Sequence, residues 1–409
     1  MLNAQTLKND FPIFRHQPNL VYLDAAATSL KPQVVIDAER AYLEQYSANV
    51  GRGLYPLAEQ ATEVFEQARA HVARFIGAQT AQEIIFTSGT TASINMVACF
   101  LEHTLHTGDN IVMTVMEHHS NYLPWKELAR RKKIELRIAP LTKAGALDCE
   151  ALLHLVDART KIVAFSAVSN VLGTINPTQE IITAIKNIQP TALTLVDAAQ
   201  AIGHLPIDVT RWNADLVAFS AHKCFGPTGV GVLYGKTAVL NTLYPTSFGG
   251  GMVLDVCQEK PVYKEIPYRF ESGTPNIAGV IAFGAALEYI DRIGIENIHS
   301  YEMSLVSYAI ETLRGAFGDD ITILGPPDTS HRSNILSFSF VDVHPHDIAH
   351  LLGEQNICVR AGEHCAAPLH RALNLTATTR LSFSIYNTKK DVDILIQELK
   401  KIITLLNIH

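Results

Sequence analysis

Two apolar runs end in groups that could share one reaction. In LTLVDAAQAIGH the run stops at Asp197, with Gln200 three residues on; in LVAFSAHKCFGPTGVG it stops at Ser220, followed by His222 and Lys223. Ligands of parallel α/β sheets sit beyond the carboxyl ends of the strands, so Asp197 and Lys223 can face one crevice although they are distant in the chain. An acid and an amine placed there suit pyridoxal phosphate. The lysine attaches the cofactor aldehyde, and the acid keeps the pyridine nitrogen protonated, which makes the ring a stronger electron sink. The phosphate needs its own cradle. IIFTSGTTASINMV offers a strand, then Gly89, Thr90 and Thr91 opening an amphipathic helix whose free amides and positive dipole end suit an anion. Ser220 and His222 could add donors. Singly these are ordinary cap and turn residues, and their order is what points to a site.

A third group lies far downstream, in RAGEHCAAPL (Arg360 to Leu369). Cys365 can be read as a small core hydrophobe. As a metal ligand it would need partners, and His364 and Cys358 lack the usual spacing. As a nucleophile it needs a thiolate and open access, and Gly362 with Arg360 suits a flexible, electropositive loop.

Positioning such groups takes a large fold. The 409 residues suggest two or three domains, or one large α/β domain with an appendage. With 47% hydrophobic and 18% charged residues, the composition is globular and excludes a disordered or fibrous chain. A net charge of -7, with no basic run longer than RRKK at Arg130 to Lys133, argues against nucleic acid as a partner. The cysteines at 99, 149, 224, 257, 358 and 365 include no C-x-x-C pair, which fits a reducing compartment. No secretory pattern opens the chain, and the apolar stretch Ile277 to Leu287 is too short for a bilayer, so the expected location is the cytoplasm, with no membrane association.

From about Leu20 to Gly235, apolar β-branched runs alternate with amphipathic stretches, the pattern of a mostly parallel sheet covered by helices. The expected strands are EIIFTS, NIVMTV, KIVAFSAV, LTLVDAA and LVAFSA. Ala61, Val64, Phe65, Ala68, Val72, Phe75 and Ile76 share one helical face. After FGGGM the rhythm changes to two helical patterns from about Ile277 to Arg314, followed by ITILG, ILSFSF, HDIAHLLGEQ, ICVRAG, RLSFSIY and a helix from Lys389. This predicts a smaller α+β domain with a mixed or antiparallel sheet. The expected division is a large domain over 15–294 and a small one over 295–409 that includes 1–14.

YLDAAATSLKP, SGTTASINMVA, MEHHSNYLPW, VSNVLGT, VDAAQA, FSAHKCFGPTGVGVLYG, FESGTPN, RAGEHCAAPL and RLSFSIYNT together resemble the class V aminotransferases of fold type I. Within them the chain is similar to the cysteine desulfurase and selenocysteine lyase branch of SufS/CsdA type, with its short catalytic loop. The resemblance implies pyridoxal phosphate, with Lys223 as its attachment point, Asp197 on the ring nitrogen, Gln200 on the phenolic oxygen and His118 over the ring face. It places Thr90, Thr91, Ser220 and His222 around the phosphate, joined by Thr274 from the other subunit of a homodimer. Asn170 and Arg380 would bind the carboxylate of L-cysteine, with Arg360 orienting the sulfur or the carboxylate. Lys223 would take the Cα proton and Cys365 would attack the substrate sulfur, leaving a persulfide and alanine. His118 would shuttle a proton, since its ordinary pKa lies near working pH. A SufE/CsdE-like acceptor would then collect the sulfur by thiol exchange. Two other functions stay open: a selenocysteine lyase or cysteine sulfinate desulfinase that does without Cys365, and an idle scaffold in a sulfur-transfer complex.

The chain departs from this pattern at Gly51, where relatives carry a histidine, at Ser88 and Ala221, and at Cys224, an extra thiol expected to be a packing residue. SAHK also fits the S-x-x-K of serine acyl-enzymes, but here it ends a strand. HPHDIAH is expected to be a solvated loop entering a helix, and GPTGVG precedes a strand and so is no dinucleotide fingerprint.

Overall fold

The structure, a computed structural model, describes residues 2–256 and 259–406; Cys257 lies outside them. Its centre is a seven-stranded sheet in the order Ile84–Thr87, Gly231–Gly235, Leu216–Ser220, Leu193–Asp197, Thr160–Ser166, Asn110–Thr114, Glu135–Ala139. Six strands run parallel, and Gly231–Gly235 runs against both of its neighbours. This is the doubly covered α/β sheet of fold type I, and all five strands expected from apolar runs are present. Glu135–Ala139 is an addition. At the sheet edge, it alternates charged and apolar residues and is only partly buried, so it carries none of the continuous apolar signal of the strands inside.

The Pro56–Phe75 helix buries Ala61, Phe65, Ala68 and Val72 of its predicted face, with Val64 and Phe75 half-buried at the flank. It packs on the Ile277–Ile293 helix so closely that a Cβ on Gly284 would sit 2.9 Å from the Ala68 Cβ. Arg69 is also buried on this helix. Its charge is met by Glu271 at 2.7 Å and Glu66 at 2.9 Å, the pairing a buried guanidinium requires.

Gly294, at φ 87°, separates Ile277–Ile293 from Ile295–Phe317. Ile290 and Ile298 on either side belong to the larger core, whereas Leu305, Val306 and Leu313 belong to a second core with Phe338, Leu381 and Leu395. That second core lines a four-stranded antiparallel sheet ordered Ile321–Ile323, Ile335–Phe340, Thr378–Ser382, Arg360–Gly362.

The N-terminal segment laces the two cores together. Phe11 packs on Phe225, Tyr289 and Tyr386, while Val21 and Leu23 enter the second core, where Val21–Tyr22 pairs in parallel with Ile357–Cys358. The Ala26 amide donates to Ser382 Oγ at 2.8 Å, and the Ser29 amide to the His222 carbonyl at 2.9 Å. Among the described residues no helix is long and apolar enough to cross a membrane.

Candidate active site

A cavity of about 200 Å³ opens at the carboxyl ends of the parallel strands, and every side chain to which the resemblance gives a role, except Thr274, lines it. Its floor lies at two adjacent strand ends. Asp197 ends one strand and accepts from the Ala199 amide at 2.9 Å. Lys223 follows the next strand in a single helical turn, and its Nζ donates to the Ala26 carbonyl at 2.9 Å; Gln200 Nε2 donates to the same oxygen at 3.0 Å. Burial drives the Asp197 carboxyl up, and burial with the Arg380 guanidinium drives the Lys223 ammonium down. Both charged forms are therefore disfavoured in the bare chain. A cationic ring beside Asp197 and a covalent bond at Lys223 relieve that mismatch, and this is the respect in which the floor fits pyridoxal phosphate.

The opposite wall also fits. Thr90 and Thr91 open the Thr90–Glu102 helix, and Ser220 Oγ accepts from the Thr90 amide at 2.8 Å and pairs with Thr90 Oγ1 at 2.7 Å. Thr91 Oγ1 pairs with Ser120 Oγ at 2.7 Å. His222 Nδ1 is buried without a partner, a polar atom left for a ligand. The wall stands close to the lysine turn because two glycines meet: a Cβ on Gly231 would lie 2.3 Å from Gly89 Cα.

His118 caps the His119–Lys132 helix, its Nδ1 accepting from the Ser120 amide at 3.1 Å, so the ring proton sits on Nε2. Burial, then Lys223, pushes His118 down to about 3. The expectation of a pKa near working pH therefore does not hold in the bare chain, where His118 is a neutral imidazole offering an Nε2–H.

At the third side two arginines face each other. Arg360 and Arg380 are directly opposite in the antiparallel pair that joins their strands, an arrangement that repels unless an anion lies between or beside them. Arg380 is 2% exposed. It donates to the Asn170 carbonyl at 2.9 Å and to Asp24 Oδ1 at 3.1 Å, and its Nε has no partner. Asn170, expected at the substrate carboxylate, already gives one amide hydrogen to the His364 carbonyl at 2.7 Å.

Cys365 is exposed at the mouth. It and His364 both have left-handed backbones, at φ 57° and 51°, which cost on the order of 1 kcal/mol or more each outside glycine. The strain is held by fastenings on all sides. The His119 amide donates to the Cys365 carbonyl at 2.7 Å, the Ala367 amide donates to His119 Nε2 at 3.2 Å, and His364 Nε2 lies 2.9 Å from Thr378 Oγ1. The loop expected to be flexible is thus pinned, and Gly362, at φ 118°, is where the backbone needs glycine to enter it. Cys224, by contrast, is buried against the Ala221 carbonyl, and its thiol is pushed up to about 12.

Thr274 lines a separate cavity of about 610 Å³ with Gly51, Arg52 and Glu271. Three side chains that serve the crevice escape the residue-by-residue reading, Asp24, Glu117 and His119, and His364 enters it only as a poorly spaced metal ligand. Glu117 is fully buried and raised to about 7 by burial. It accepts from the Ser166 amide at 3.1 Å, Ser166 Oγ at 2.6 Å and Asn121 Nδ2 at 2.6 Å, and Thr114 Oγ1 also donates to it, tying a strand end to the turn that carries His118. Their signal lay in the motifs YLDAAATSLKP, MEHHSNYLPW and RAGEHCAAPL, which contain all four. Among the described residues no three His, Cys, Asp or Glu side chains are grouped to hold a metal ion.

A lysine at one strand end, an aspartate at the next and a helix start across from both define the class: the fold type I pyridoxal phosphate enzymes. The chain belongs to the class V aminotransferase family, whose model matches residues 21–395. It is 45% identical to a probable cysteine desulfurase of Halalkalibacterium halodurans over 98% of both chains, and 41% identical to one of Streptomyces coelicolor over 98% of this chain and 97% of that one. Among solved structures it resembles the apo cysteine desulfurase of Thermococcus onnurineus (TM-score 0.92, 37% identity, covering 99% of this chain and 98% of that one). It also resembles the cysteine desulfurase CsdA of Escherichia coli in its S-sulfonic acid form (TM-score 0.91, 37% identity, covering 99% of each).

Proposed function

We propose that this chain is a pyridoxal phosphate-dependent cysteine desulfurase that converts L-cysteine to L-alanine and takes the sulfur onto Cys365. The observation that carries this reading is that an exposed cysteine, held in a strained backbone, lines the same crevice as a half-buried lysine and a buried aspartate.

Pyridoxal phosphate, when bound, supplies the electron sink that makes the substrate Cα proton acidic. Asp197 would hold the ring nitrogen proton, Gln200 would meet the phenolic oxygen, and Thr90, Thr91, Ser220 and His222 would hold the phosphate. Arg380, with its free Nε, and Asn170 take the substrate carboxylate, and Arg360 adds a second positive charge above it. The Lys223 amine, made available by its lowered pKa, removes the Cα proton. The Cys365 thiolate attacks the substrate sulfur. A sulfur–sulfur bond forms as the carbon–sulfur bond breaks, the electron pair leaves with carbon, and protonation there gives alanine. His118, with Nδ1 occupied by the Ser120 amide, would offer its Nε2–H as a hydrogen-bond donor beside the reacting groups.

A second copy of this chain would complete the site by bringing its Thr274 to the phosphate, and a SufE/CsdE-like protein in the cytoplasm would accept the sulfur. We divide the chain into a large domain over 15–294 and a small one over 295–409 with 1–14, the latter carrying the thiol, with Phe11 crossing into the larger core and Val21 and Leu23 into the smaller.

Peptide mass spectrometry after a brief exposure to L-cysteine without reductant tests this reading. One added sulfur on Cys365, absent in Lys223→Ala, is the expected result. Alanine released with Cys365 unmodified would overturn the role of the thiol.

A further inference from the structure

His119 takes no part in the chemistry above, yet it touches the thiol loop at Cys365 and again two residues beyond it. Its amide donates to the carbonyl of Cys365, and its ring Nε2 accepts from the amide of Ala367. Ala367 is the first residue of the Ala367–Ala372 helix, whose cap residue Ala366 offers no side-chain acceptor. The ring therefore satisfies a helix-start donor that the loop cannot satisfy itself.

We propose that His119 is the positioning residue for Cys365, a clamp whose ring acceptor keeps the thiol loop over the crevice. Two details support a dedicated role. The neighbouring histidines make opposite tautomer demands, His118 accepting at Nδ1 and His119 at Nε2, so each is committed to a different partner although both start one helix. Of the two residues it holds, Cys365 has a left-handed backbone; Asn170 and Thr378 fasten the neighbouring His364, and the loop's own bond runs from the Ala366 amide to the Glu363 carbonyl at 2.8 Å, so His119 is the side chain from outside the loop that reaches past His364. The clamp thus links the helix that presents His118 to the loop that presents the thiol.

This inference rests on Cys365 being the sulfur carrier, and its test separates the two. His119→Ala keeps the backbone donor but removes the ring acceptor, and His119→Gln places an amide oxygen near the position of Nε2. In the holoenzyme, with the cofactor absorbance band as a check that the floor is intact, two rates are measured: single-turnover sulfur uptake at Cys365 and alkylation of Cys365 by iodoacetamide without substrate. The expected result is uptake slowed on the order of tenfold and alkylation several-fold faster in His119→Ala, with both returning to within about threefold of the parent in His119→Gln. Parent-like alkylation in His119→Ala, or a His119→Gln variant no better than His119→Ala, overturns the clamp. A parent enzyme that loads no sulfur onto Cys365 overturns the carrier reading instead, and the alkylation ratio still decides the clamp.

Discussion

The floor and the rim of the crevice are built by opposite means. At the floor, Asp197 ends one strand and Lys223 follows the parallel strand beside it, and all residues of the two strands but Leu193 are buried, so their positions are set by the sheet. At the rim, Cys365 sits at an exposed position in a backbone that its own residues disfavour, held by a few side-chain bonds from distant elements. The difference teaches where each half of the reaction belongs. A group that must hold a cofactor through every turnover suits a rigid frame, whereas a thiol that stands between a buried crevice and solvent suits an exposed loop with a defined resting place.

Substitutions at the two ends should cost activity alike yet leave different signatures. Lys223→Ala and Cys365→Ala should each lower alanine release from L-cysteine by roughly a thousandfold or more. Absorbance spectroscopy should then separate them, with the covalently bound cofactor band lost in the first and retained in the second. A cofactor band changed as much by Cys365→Ala would erase the distinction between floor and rim. Arg380→Lys sits between the two. It keeps a charge but loses the planar fork that meets Asp24 and Asn170, so KM for L-cysteine should rise roughly ten- to a hundredfold with a smaller fall in kcat. Steady-state kinetics showing kcat alone affected would move Arg380 out of substrate binding.

Glu117 sharpens the comparison through pH. Its carboxyl is raised to about 7 in the folded chain against about 4.3 in an open one, so the native state holds an extra proton between those values. The associated stability is complete below the open-chain value and is lost as pH rises through 7. Glu117→Gln should therefore gain stability relative to the parent between pH 5 and 8, on the order of 1 to 3 kcal/mol, in urea titrations at each pH. A difference that stays flat over that range would mean Glu117 is ionised in the native state. The smallest effect concerns Lys223: because burial and Arg380 lower its pKa, the rate at which apoprotein captures pyridoxal phosphate should rise with pH and level off below the ordinary lysine value of about 10.4. Continued rise past that value would indicate an unperturbed amine.

The floor was legible in the sequence because it is local. An uninterrupted apolar run followed at once by Asp197, or by Ser220 to Lys223, states both the strand and what stands at its end. The edge strand Glu135–Ala139 escaped because half-exposure replaces that run with alternation. The rim was legible only as a list of residue types. Nothing within RAGEHCAAPL says that its amide at Ala367 will be met by a histidine 248 positions earlier, so a pinned loop read as a flexible one. His118 misled for a related reason: its type suggests a titrating shuttle, while burial beside Lys223, a tertiary fact, makes it neutral.

The N-terminal lacing gives the chain an order of completion during synthesis. Ala26, whose carbonyl receives both Lys223 and Gln200, is itself anchored to Ser382, 356 residues further along. Residues made first are thus the last to be fixed, because their partners emerge near the end of translation. The lysine can therefore meet its full set of neighbours only after the thiol loop has also been made, and a half-finished chain holds neither a complete cofactor pocket nor a thiol beside one.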